Sequence, residues 1–520
     1  MKKKNKLSSS PVAHGIFLAM AVISAVLYNS TGTWWVFTDN TVGLSFFSEL
    51  LAWIIIGNAV SMAVLTALLT YKKIKPNKAL TGIFCTLSAG FFLYTVIYSI
   101  GLLIDENFTV YTIQLADTFS KALPIIALCS FALFVPAMNK KAKVALAAAV
   151  LIIAAIWVVN DFYPLTPYKI TSEPTVIDTS EDYSVVFSTN DVGTGYVEYT
   201  FEGQDYKVYD HTAGRLNSDS KIHSINIPYE HLRNNSYRVG SVRVIAEFGY
   251  GSRLGKEAVS EEYTLKYNDS ENQTWLVISD WHTMLNKAYT AVDYLGDYDS
   301  VIFLGDSAPT ADNEDDAIKN TIEFMGNISG GEKPAIYVRG NHETRGAYAN
   351  DLPSVLGLDE LYYTLNVGDY SFIVLDSGED KEDSHSEYGG LTAYGDYRKT
   401  MVEWLKTAET DSDKVIALSH AWEISQVEND LAVTSWNEID RMGARLMISG
   451  HTHQCGFVNK EAEGINAEIF SAHPHIDAYM DGGKSGKDYI ASMLTLSPEA
   501  IGIKAVNQNG EEIINEEMKW

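Results

Sequence analysis

Cysteine is scarce in this chain, which has three among 520 residues. Cys85 and Cys129 fall in apolar runs, and Cys455 is the one cysteine of the polar remainder. A disulfide framework needs several cysteines within one region, so these three positions exclude it. The polar part has about 350 residues, enough to bury hydrophobic cores of its own, and its stability must come from them.

Basic residues are also scarce, and they are unevenly distributed. Residues 1–161 contain 12 Lys, no Arg and 6 acidic residues, which leaves 27 basic and 60 acidic residues of the chain's 39 and 66 for the remainder. The first part is therefore apolar with basic clusters, whereas the second carries a net charge of −33. Because a strongly acidic surface repels phosphate backbones, we expect no nucleic-acid partner.

Long apolar runs are confined to the first 161 residues. Five of them lie at 11–28, 46–70, 79–104, 122–138 and 144–159. A bilayer crossing takes roughly 17–25 apolar residues, so the runs predict an α-helical membrane region of five transmembrane helices within 1–161. Burial in a soluble core is the alternative for the shorter runs. The expected partner of this region is the lipid bilayer.

Lysine clusters alternate between the loops that separate these runs. They lie at 2–6, 72–78 and 140–143, whereas the loop at 105–120 has none. Because basic loops stay in the cytoplasm, the pattern predicts a multi-pass protein of the cell membrane with a cytoplasmic N-terminus and an extracytoplasmic acidic part after residue 161. The first run is alternatively a cleaved signal peptide, but no small-residue cleavage site follows it, so we favour an uncleaved helix.

The pattern changes near residue 168, after a linker that contains Pro164 and Pro167. Short stretches rich in Tyr, Val and Ile then alternate with Gly, Asn and Asp turns up to residue 267. Six or seven strands within roughly 90 residues are typical of a β-sandwich. We therefore predict a sandwich domain over 168–267, which would serve as a spacer or a support for the domain that follows.

From residue 274 onward, polar side chains repeatedly follow apolar strands. The motifs are Asp280-Trp281-His282, Gly305-Asp306, Gly340-Asn341-His342-Glu343, the single His420, and Gly450-His451-Thr452-His453. Helix-like stretches lie between them at 284–295, 314–325 and 397–408. The carboxyl ends of neighbouring strands meet at one edge of an α/β sheet, so we expect these side chains to converge there.

Seven of these residues offer oxygen or imidazole donors to a metal ion. They are Asp280, His282, Asp306, Asn341, His420, His451 and His453. This mixture lacks thiolates and suits manganese, iron or zinc. Seven donors are too many for one ion with an open position, but they fit two divalent ions that share one carboxylate. Such a pair attracts a phosphate dianion and lowers the pKa of a bound water, so that hydroxide becomes the nucleophile.

In this order, the five motifs resemble those of the calcineurin-like metallophosphoesterases, and the resemblance covers roughly 270–510. It implies an α/β metallophosphoesterase domain over 270–520, built as a four-layer αββα sandwich. With the predicted β-sandwich in front of it, the chain is also similar to purple acid phosphatases. Those enzymes carry an N-terminal fibronectin type III-like domain, which 168–267 would represent.

The resemblance also implies a role for each residue. One ion would be held by Asp280, His282 and His453, and the other by Asn341, His420 and His451. Asp306 would bridge the two ions, and the catalytic His342 would contact the substrate phosphate and protonate the leaving group. The sequence departs from the purple enzymes at Pro309, where they have a metal-bound Tyr, and at His282, where they have no histidine. We therefore expect a general site for two divalent metals, without the charge-transfer chromophore.

Further candidates lie close to the motifs. Arg345 is near enough to reach a phosphate, although a salt bridge to a neighbouring carboxylate is an equal alternative. His473 and His475 are candidate substrate contacts, because they follow a predicted strand at 467–471. His385 lies in an acidic loop, which is either a lid or plain surface. Cys455 is interpreted as a buried, inert thiol.

Together these features predict a membrane-anchored, extracytoplasmic, acid-phosphatase-like phosphomonoesterase. A phosphodiesterase that acts on nucleotides, lipid head groups or cell-wall polymers is the alternative, because a two-metal site suits both reactions. The third possibility is a non-catalytic membrane receptor. A broken ligand set would indicate a receptor, and here the ligand set is complete.

Overall fold

The computed structural model describes residues 11–30, 44–70, 78–104, 159–248, 251–388, 390–458 and 476–520, together with six isolated positions between 145 and 156. Contacts divide the chain into two compact units. One consists of Met1–Pro167 with Val244–Gly255, and the other of Tyr168–Arg243 with Lys256–Trp520. The second unit contains all seven predicted metal ligands.

Among the described residues, the first unit contains the helices α1 (Pro11–Ser30), α2 (Leu44–Thr70) and α3 (Lys78–Ile104). These helices bury polar side chains as well as apolar ones. Asn58 of α2 is 3% exposed, and its side-chain nitrogen donates to Ser88 Oγ of α3 at 2.9 Å. The bond gives the buried nitrogen of Asn58 an acceptor, and Ser88 Oγ itself donates to the carbonyl of Phe84 at 2.8 Å.

No helix among the described residues is both long and apolar enough to cross a membrane. This finding overturns the prediction of five transmembrane helices. The prediction weighed the length of each apolar run and gave too little weight to polar residues within the runs, such as Asn58 and Ser88. The run at 122–138 lies outside the described residues, and the run at 144–159 is described only in part.

Strands form two large sheets and one small ribbon. The first sheet has fourteen strands: β1 (Thr175–Asp178), β2 (Tyr183–Phe201), β3 (Gln204–Tyr209), β6 (Ser220–Ile227), β7 (Ser236–Phe248), β8 (Gly251–Val259), β9 (Tyr263–Thr264), β10 (Gln273–Ile278), β11 (Ser300–Phe303), β12 (Pro334–Tyr337), β19 (Gly483–Ser485), β20 (Asp488–Leu496), β21 (Ala500–Asn507) and β22 (Glu512–Lys519). The second has six: β13 (Tyr363–Val367), β14 (Tyr370–Leu375), β15 (Val415–Ser419), β16 (Ala444–Ser449), β17 (Gly456–Phe457) and β18 (Asp477–Met480). The ribbon pairs β4 (His211–Thr212) with β5 (Arg215–Leu216).

Most helices of the second unit connect strands of the two sheets. They are α4 (Tyr229–Leu232), α5 (Leu285–Leu295), α6 (Glu314–Ala317), α7 (Glu323–Ser329), α8 (Leu352–Val355), α9 (Tyr394–Leu405) and α10 (Asn429–Arg441). A π-helical turn, Ile318–Ile322, joins α6 to α7, and short 3-10 turns lie at His342–Thr344 and Ser386–Tyr388. The predicted helical stretches at 284–295, 314–325 and 397–408 thus correspond to helices of the structure.

Strand β10 shows how the sequence builds the layers around the two sheets. Trp275 and Val277 belong to the core between the sheets, whereas Leu276 and Ile278 point into the core on the other face. Both faces of the strand are buried, which explains its continuous apolar run. Side chains of α5 and α7 cover the outer face of the first sheet, and those of α9 and α10 cover the second. The four layers that the resemblance implied are therefore present in this segment.

The strands before residue 267 continue the first sheet. β1 pairs in parallel with β12 through Val176↔Pro334 and Ile177↔Ala335, and it pairs antiparallel with β2. The segment predicted as a fibronectin type III-like sandwich is therefore joined to the first sheet, and its fibronectin-like identity is not supported. Short strands at regular spacing indicate β-structure, but the spacing does not specify which sheet the strands join. The domain boundaries at 161, 168, 267 and 270 stay predictions.

Candidate metal centre

Each predicted ligand lies in the loop that follows a strand. In the first sheet β10, β11 and β12 pair in parallel and are followed by Asp280 and His282, Asp306, and Asn341. In the second sheet β15 and β16 also pair in parallel, and they are followed by His420 and by His451 and His453. Parallel strands bring their carboxyl ends to a common edge, and the structure brings all seven side chains together there.

The backbone at these ligands is unusual. Five of them have positive φ angles: Asp280 (45°), His282 (35°), Asp306 (59°), His451 (67°) and His453 (56°). They make up nearly half of the eleven non-glycine residues with positive φ in the described chain. A left-handed backbone costs non-glycine residues energy and is retained where the surroundings impose it, often at functional sites. The strain therefore supports a functional interpretation of this edge.

Asp306 lies at the centre of the site and is 1% exposed. Its Oδ2 atom is 3.2 Å from His420 Nε2, 3.5 Å from His282 Nε2 and 3.9 Å from His342 Nε2. Its other oxygen, Oδ1, accepts the backbone N–H of His342 at 2.9 Å. One carboxylate oxygen thus faces several imidazole groups while the backbone fixes the other.

One group of ligands surrounds Asp280. Its Oδ1 atom lies 3.2 Å from His453 Nε2 and 3.8 Å from His282 Nε2, and the two imidazole nitrogens are 3.2 Å apart. Asp280 is fully buried, yet Oδ1 accepts no hydrogen bond, whereas Oδ2 accepts the backbone N–H of His451 at 2.8 Å. A buried carboxylate oxygen without a donor is costly, and a cation among these atoms would satisfy it.

A second group surrounds Asn341. Its Oδ1 atom lies 3.1 Å from His420 Nε2 and 3.2 Å from His451 Nδ1. His420 Nδ1 donates to the carbonyl of Leu304 at 2.6 Å, so Nε2 is the nitrogen that faces Asn341 and Asp306. If the amide is turned round, its N–H groups donate to these imidazoles instead and its oxygen accepts from Arg345 at 3.0 Å, so the oxygen would face the imidazoles where a cation lies between them. The arrangement fits a metal ion held by an amide oxygen and two imidazoles.

The pKa values of these groups show how strongly they interact. Burial lowers the pKa of His282 to about 4. Burial also lowers the pKa of His420, but the adjacent Asp306 carboxylate more than reverses this and brings it to about 10. For Asp306, burial raises the pKa, and the charge of His420 outweighs burial and holds it well below its usual range. The Asp306 charge is therefore kept in a buried place by its imidazole neighbours.

Glu343 holds two of the ligand loops together, and this role was not predicted from the sequence. Its buried carboxylate accepts backbone N–H groups from Asp306 at 2.8 Å, Ser307 at 2.6 Å and Gly340 at 3.0 Å. It thereby joins the loop of Asp306 to the loop of Asn341. A side chain at Gly340 would overlap Asp306 and approach Glu343 Oε2 to 2.6 Å, so the close approach requires glycine. The signal was present in the Gly340–Glu343 motif, in which Glu343 follows His342 directly.

His342 lies at the rim of the site, with 27% of its side chain exposed. Its Nδ1 atom lies 2.7 Å from the carbonyl oxygen of Pro309, which can only accept a hydrogen bond, so Nδ1 carries a proton. Nε2 then faces Asp306 and the solvent-accessible side of the centre. This orientation suits a group that exchanges a proton with a bound substrate.

The remaining candidates have other surroundings. Arg345 makes a bidentate salt bridge with the buried Glu379, at 2.8 Å from each nitrogen, so the salt bridge predicted as one alternative is present. Cys455 lies 3.3 Å from the Tyr479 hydroxyl, and burial raises the pKa of its thiol to about 11, as expected of an unreactive cysteine. His473 and His475 lie outside the described residues.

Comparison with known proteins gives one family match, and it covers the part of the chain that contains this site. Residues 274–455 match the family model of the calcineurin-like phosphoesterases. No curated protein matches the chain. Among solved structures, the chain is similar to GAP50, the anchor in the inner membrane complex of Plasmodium (14% identity, 48% of this chain and 89% of that chain covered, TM-score 0.34). It is also similar to a metallophosphoesterase from Sphaerobacter thermophilus (12% identity, 48% of this chain and 89% of that chain covered, TM-score 0.24). A third similar structure is the phosphoesterase Yfce from E. coli (13% identity, 47% of this chain and 98% of that chain covered, TM-score 0.23).

The family match confirms two predictions. The chain contains a calcineurin-like phosphoesterase domain, and it is a metal-dependent phosphoric ester hydrolase. The match begins at residue 274 and gives no support to the predicted similarity to purple acid phosphatases or to a fibronectin-like domain. The roles of individual residues stay predictions.

Proposed function

We propose that the chain hydrolyses phosphate monoesters at a centre of two divalent metal ions. The position of Asp306 carries this proposal. Its Oδ2 atom lies 3.5 Å from His282 in the group around Asp280 and 3.2 Å from His420 in the group around Asn341. A carboxylate shared between two groups of ligands is what a bridging position requires.

The side chains present fit two such ions. Asp280, His282 and His453 would hold one of them, and its charge would satisfy the unpartnered Oδ1 of Asp280. The other would lie among Asn341, His420 and His451, with Asp306 common to both groups. Manganese, iron or zinc suits these oxygen and imidazole donors. When bound, two such ions activate water and neutralise charge on the phosphate.

A monoester matches the charge of this centre. Two divalent ions carry four positive charges, and Asp280 and Asp306 offset two of them, because the other ligands are neutral when bound. The remaining charge of about +2 equals that of a phosphate monoester dianion in magnitude. A phosphodiester carries one negative charge and would leave the centre with a positive surplus.

His342 is the proposed general acid. Because Nδ1 is committed to the Pro309 carbonyl, the imidazolium form presents its second proton at Nε2. A water oxygen forms the new bond to phosphorus and gives up a proton to solvent. As the bond between phosphorus and the leaving oxygen breaks, the leaving oxygen takes both bonding electrons and receives the Nε2 proton. Loss of the proton leaves neutral His342, which takes up another from solvent through its exposed side.

Hydrolysis of p-nitrophenyl phosphate by the purified full-length chain tests the proposal. We expect turnover with at least one of manganese, zinc and iron, loss of turnover with a chelator, and recovery when the metal is added back. Absence of turnover with all three metals would contradict the proposed function.

A parallel assay with bis(p-nitrophenyl) phosphate distinguishes monoester from diester hydrolysis. We expect kcat/KM for the monoester to exceed that for the diester. A diester preference of tenfold or more would replace the proposal with the phosphodiesterase alternative. Both substrates release the same nitrophenol, so the comparison isolates the charge of the phosphate.

The extracytoplasmic placement of the catalytic domain stays a prediction from the lysine clusters. A reporter that is active only after export, fused at Phe162, tests it. We expect an active fusion, and a silent fusion whose cytoplasmic counterpart fluoresces would exclude that placement.

A further inference from the structure

Trp281 lies between two predicted metal ligands, Asp280 and His282, but its side chain is not part of the metal centre. The indole is fully buried and belongs to the core on the outer face of the first sheet. The side chains of Asp280 and His282, by contrast, lie among the atoms of the centre. A side chain locked by packing between two ligands can fix the backbone from which both ligands extend.

The backbone on both sides of Trp281 is strained. Asp280, His282 and Thr283 have positive φ angles of 45°, 35° and 66°. Residues with a side chain keep such angles where their surroundings impose them. Three N–H groups of this loop donate to carbonyls of the loop after β11, namely Asp280 to Gly305 at 2.9 Å, His282 to Asp306 at 3.1 Å and Thr283 to Ser307 at 3.1 Å. The loop is thus fixed through its backbone on one side and through Trp281 in the core.

The polar atom of the indole has a partner in an unusual helical turn. Trp281 Nε1 donates to the Asn320 carbonyl at 2.7 Å. Asn320 lies in the π-helical turn Ile318–Ile322, where the Glu323 N–H donates to a carbonyl five residues earlier. Such turns are rare in proteins and are frequent at functional sites. This one supplies the acceptor that a buried indole N–H requires.

Two aromatic rings hold the plane of the indole. Phe324 of α7 stacks on it, with centroids 4.9 Å apart and an angle of 26° between the planes. Phe303 of β11 meets it edge-on, at 6.1 Å and 67°. Both phenylalanines are fully buried. Because the stack and the hydrogen bond together define one orientation of the indole, they also define where the backbone of Asp280 and His282 lies.

We infer that Trp281 is a positioning residue for the metal ion in the group around Asp280, and that the π turn serves it by presenting the Asn320 carbonyl. The inference rests on the proposed function, because it takes two ions to be bound at the centre. The ion in the group around Asn341 should depend on Trp281 much less, since its own ligands extend from other loops.

Metal titration of the full-length, metal-free chain tests the inference. Calorimetry with zinc should show a binding step that Asp280→Asn removes, which identifies the ion in the group around Asp280. Trp281→Phe keeps an aromatic ring and deletes the N–H donor. We expect it to weaken that step by about tenfold, as loss of a contact that orients a metal ligand typically does. The other binding step should stay within about twofold of its wild-type affinity.

Trp275→Phe is the matched control, because it makes the same change in the strand that leads to the ligands. Trp275 is 2% exposed, and its Nε1 donates to Gln273 Oε1 at 3.0 Å. It lies near the start of β10, at the opposite end from Asp280. Both variants should lose thermal stability, whereas W281F alone should lose metal affinity. Wild-type affinity in W281F, or an equal loss in both variants, would overturn the inference.

Phe324→Leu provides a second variant in case W281F does not fold. It leaves Trp281 and its hydrogen bond in place and removes the stacked ring. We expect the same binding step to weaken by about threefold, because a stacked aromatic pair contributes modestly beyond its buried area. Circular dichroism checks that the variant is folded. Unchanged affinity in folded F324L would overturn the inference where W281F cannot be measured.

Failure of this inference is distinguishable from failure of the proposed function. If p-nitrophenyl phosphate is hydrolysed with added metal but W281F binds zinc as the wild type does, Trp281 serves the core alone and the proposed function stands. If the wild type binds no metal and hydrolyses no monoester, the proposed function fails, and the inference that rests on it fails as well.

Discussion

Two regions of the first sheet bury carboxylates, and the surroundings of these groups differ. At the metal centre, Asp280 and Asp306 face imidazole nitrogens, and one oxygen of Asp280 has no hydrogen-bond donor. At the end of β1, Asp178 accepts hydrogen bonds from the Tyr229 hydroxyl at 2.5 Å and the backbone N–H of Ser180 at 3.0 Å. The three carboxylates are almost equally buried. Their neighbouring groups therefore decide whether a carboxylate is available to a bound cation or is used in hydrogen bonds that stabilise the fold.

The pKa values of these two regions move in opposite directions. For Asp306 the imidazole neighbours outweigh burial, and the pKa lies well below its usual range. For Asp178 burial outweighs the hydrogen bond from Tyr229, and the pKa rises to about 6. The metal centre thus stabilises a buried negative charge, whereas the site at β1 tolerates one at a cost in stability.

The largest expected effect comes from Asp306→Asn, which removes the shared negative charge. We expect kcat/KM for p-nitrophenyl phosphate to fall by about a thousandfold or more, because neither ion would retain its bridging ligand. Asp178→Asn makes the same chemical change in the other region and should leave kcat/KM within about twofold. Steady-state kinetics of both variants with saturating metal checks the contrast, and equal losses in the two would contradict it.

Glu343→Gln should have an intermediate effect on activity. Glutamine keeps the shape but has one acceptor oxygen in place of two, so the N–H groups of Asp306 and Ser307 cannot both be satisfied. As a positioning residue, Glu343 should act through metal affinity, and we expect a loss of about 10- to 100-fold at limiting metal. Excess metal should recover part of the activity. A loss of thermal stability with unchanged metal dependence would instead indicate a purely structural role.

Metal binding should raise the free energy of unfolding through the metal centre, and the region around Asp178 should not contribute to this effect. A ligand present at about 100 times its Kd contributes about 2.7 kcal/mol, which corresponds to roughly 5–10 °C in Tm for a domain of this size. Calorimetry with and without manganese or zinc should show this shift for the wild type and for D178N. Asp280→Asn, which removes a predicted ligand, should abolish most of the shift. A full shift in D280N would argue against Asp280 as a ligand.

The smallest expected effect concerns pH and stability. The pKa of Asp178 is about 6 in the folded chain and about 4 when unfolded, so the folded state holds this proton more tightly. Stability contributed by the protonated group is therefore present below pH 4 and is lost as the pH rises to 6. Asp178→Asn should stabilise the protein by about 2 kcal/mol at pH 7 and by much less at pH 4. Denaturant unfolding at both pH values checks this, and an equal effect at both would contradict it.

The metal centre could be anticipated from the sequence because its information is local. Each ligand lies within a few residues of the end of its strand, as Asp306 does after β11. A short window of sequence therefore contains both the apolar strand and the polar ligand. The support from Glu343 depends on a contact between two loops 37 residues apart and became visible only in the fold.

The first 267 residues were predicted less well for related reasons. Run length suggested membrane crossings, but the bond between Asn58 and Ser88 depends on two helices packing together. Strand spacing suggested a β-sandwich, but it did not indicate that β1 pairs with β12, more than 150 residues away. The pairing of β1 with β12 is not encoded in any one window of sequence, whereas the membrane prediction failed on the length and apolar character of the helices themselves.

The pairing of β1 with β12 has a practical consequence for how the protein can be divided. A fragment that begins at residue 274, where the family match begins, would lack β1 and expose the backbone of Pro334–Tyr337 as an open edge. Unpaired edge strands join with those of other molecules and cause aggregation. Strand β1 therefore protects the catalytic sheet from self-association, and the smallest soluble catalytic fragment should begin before Thr175.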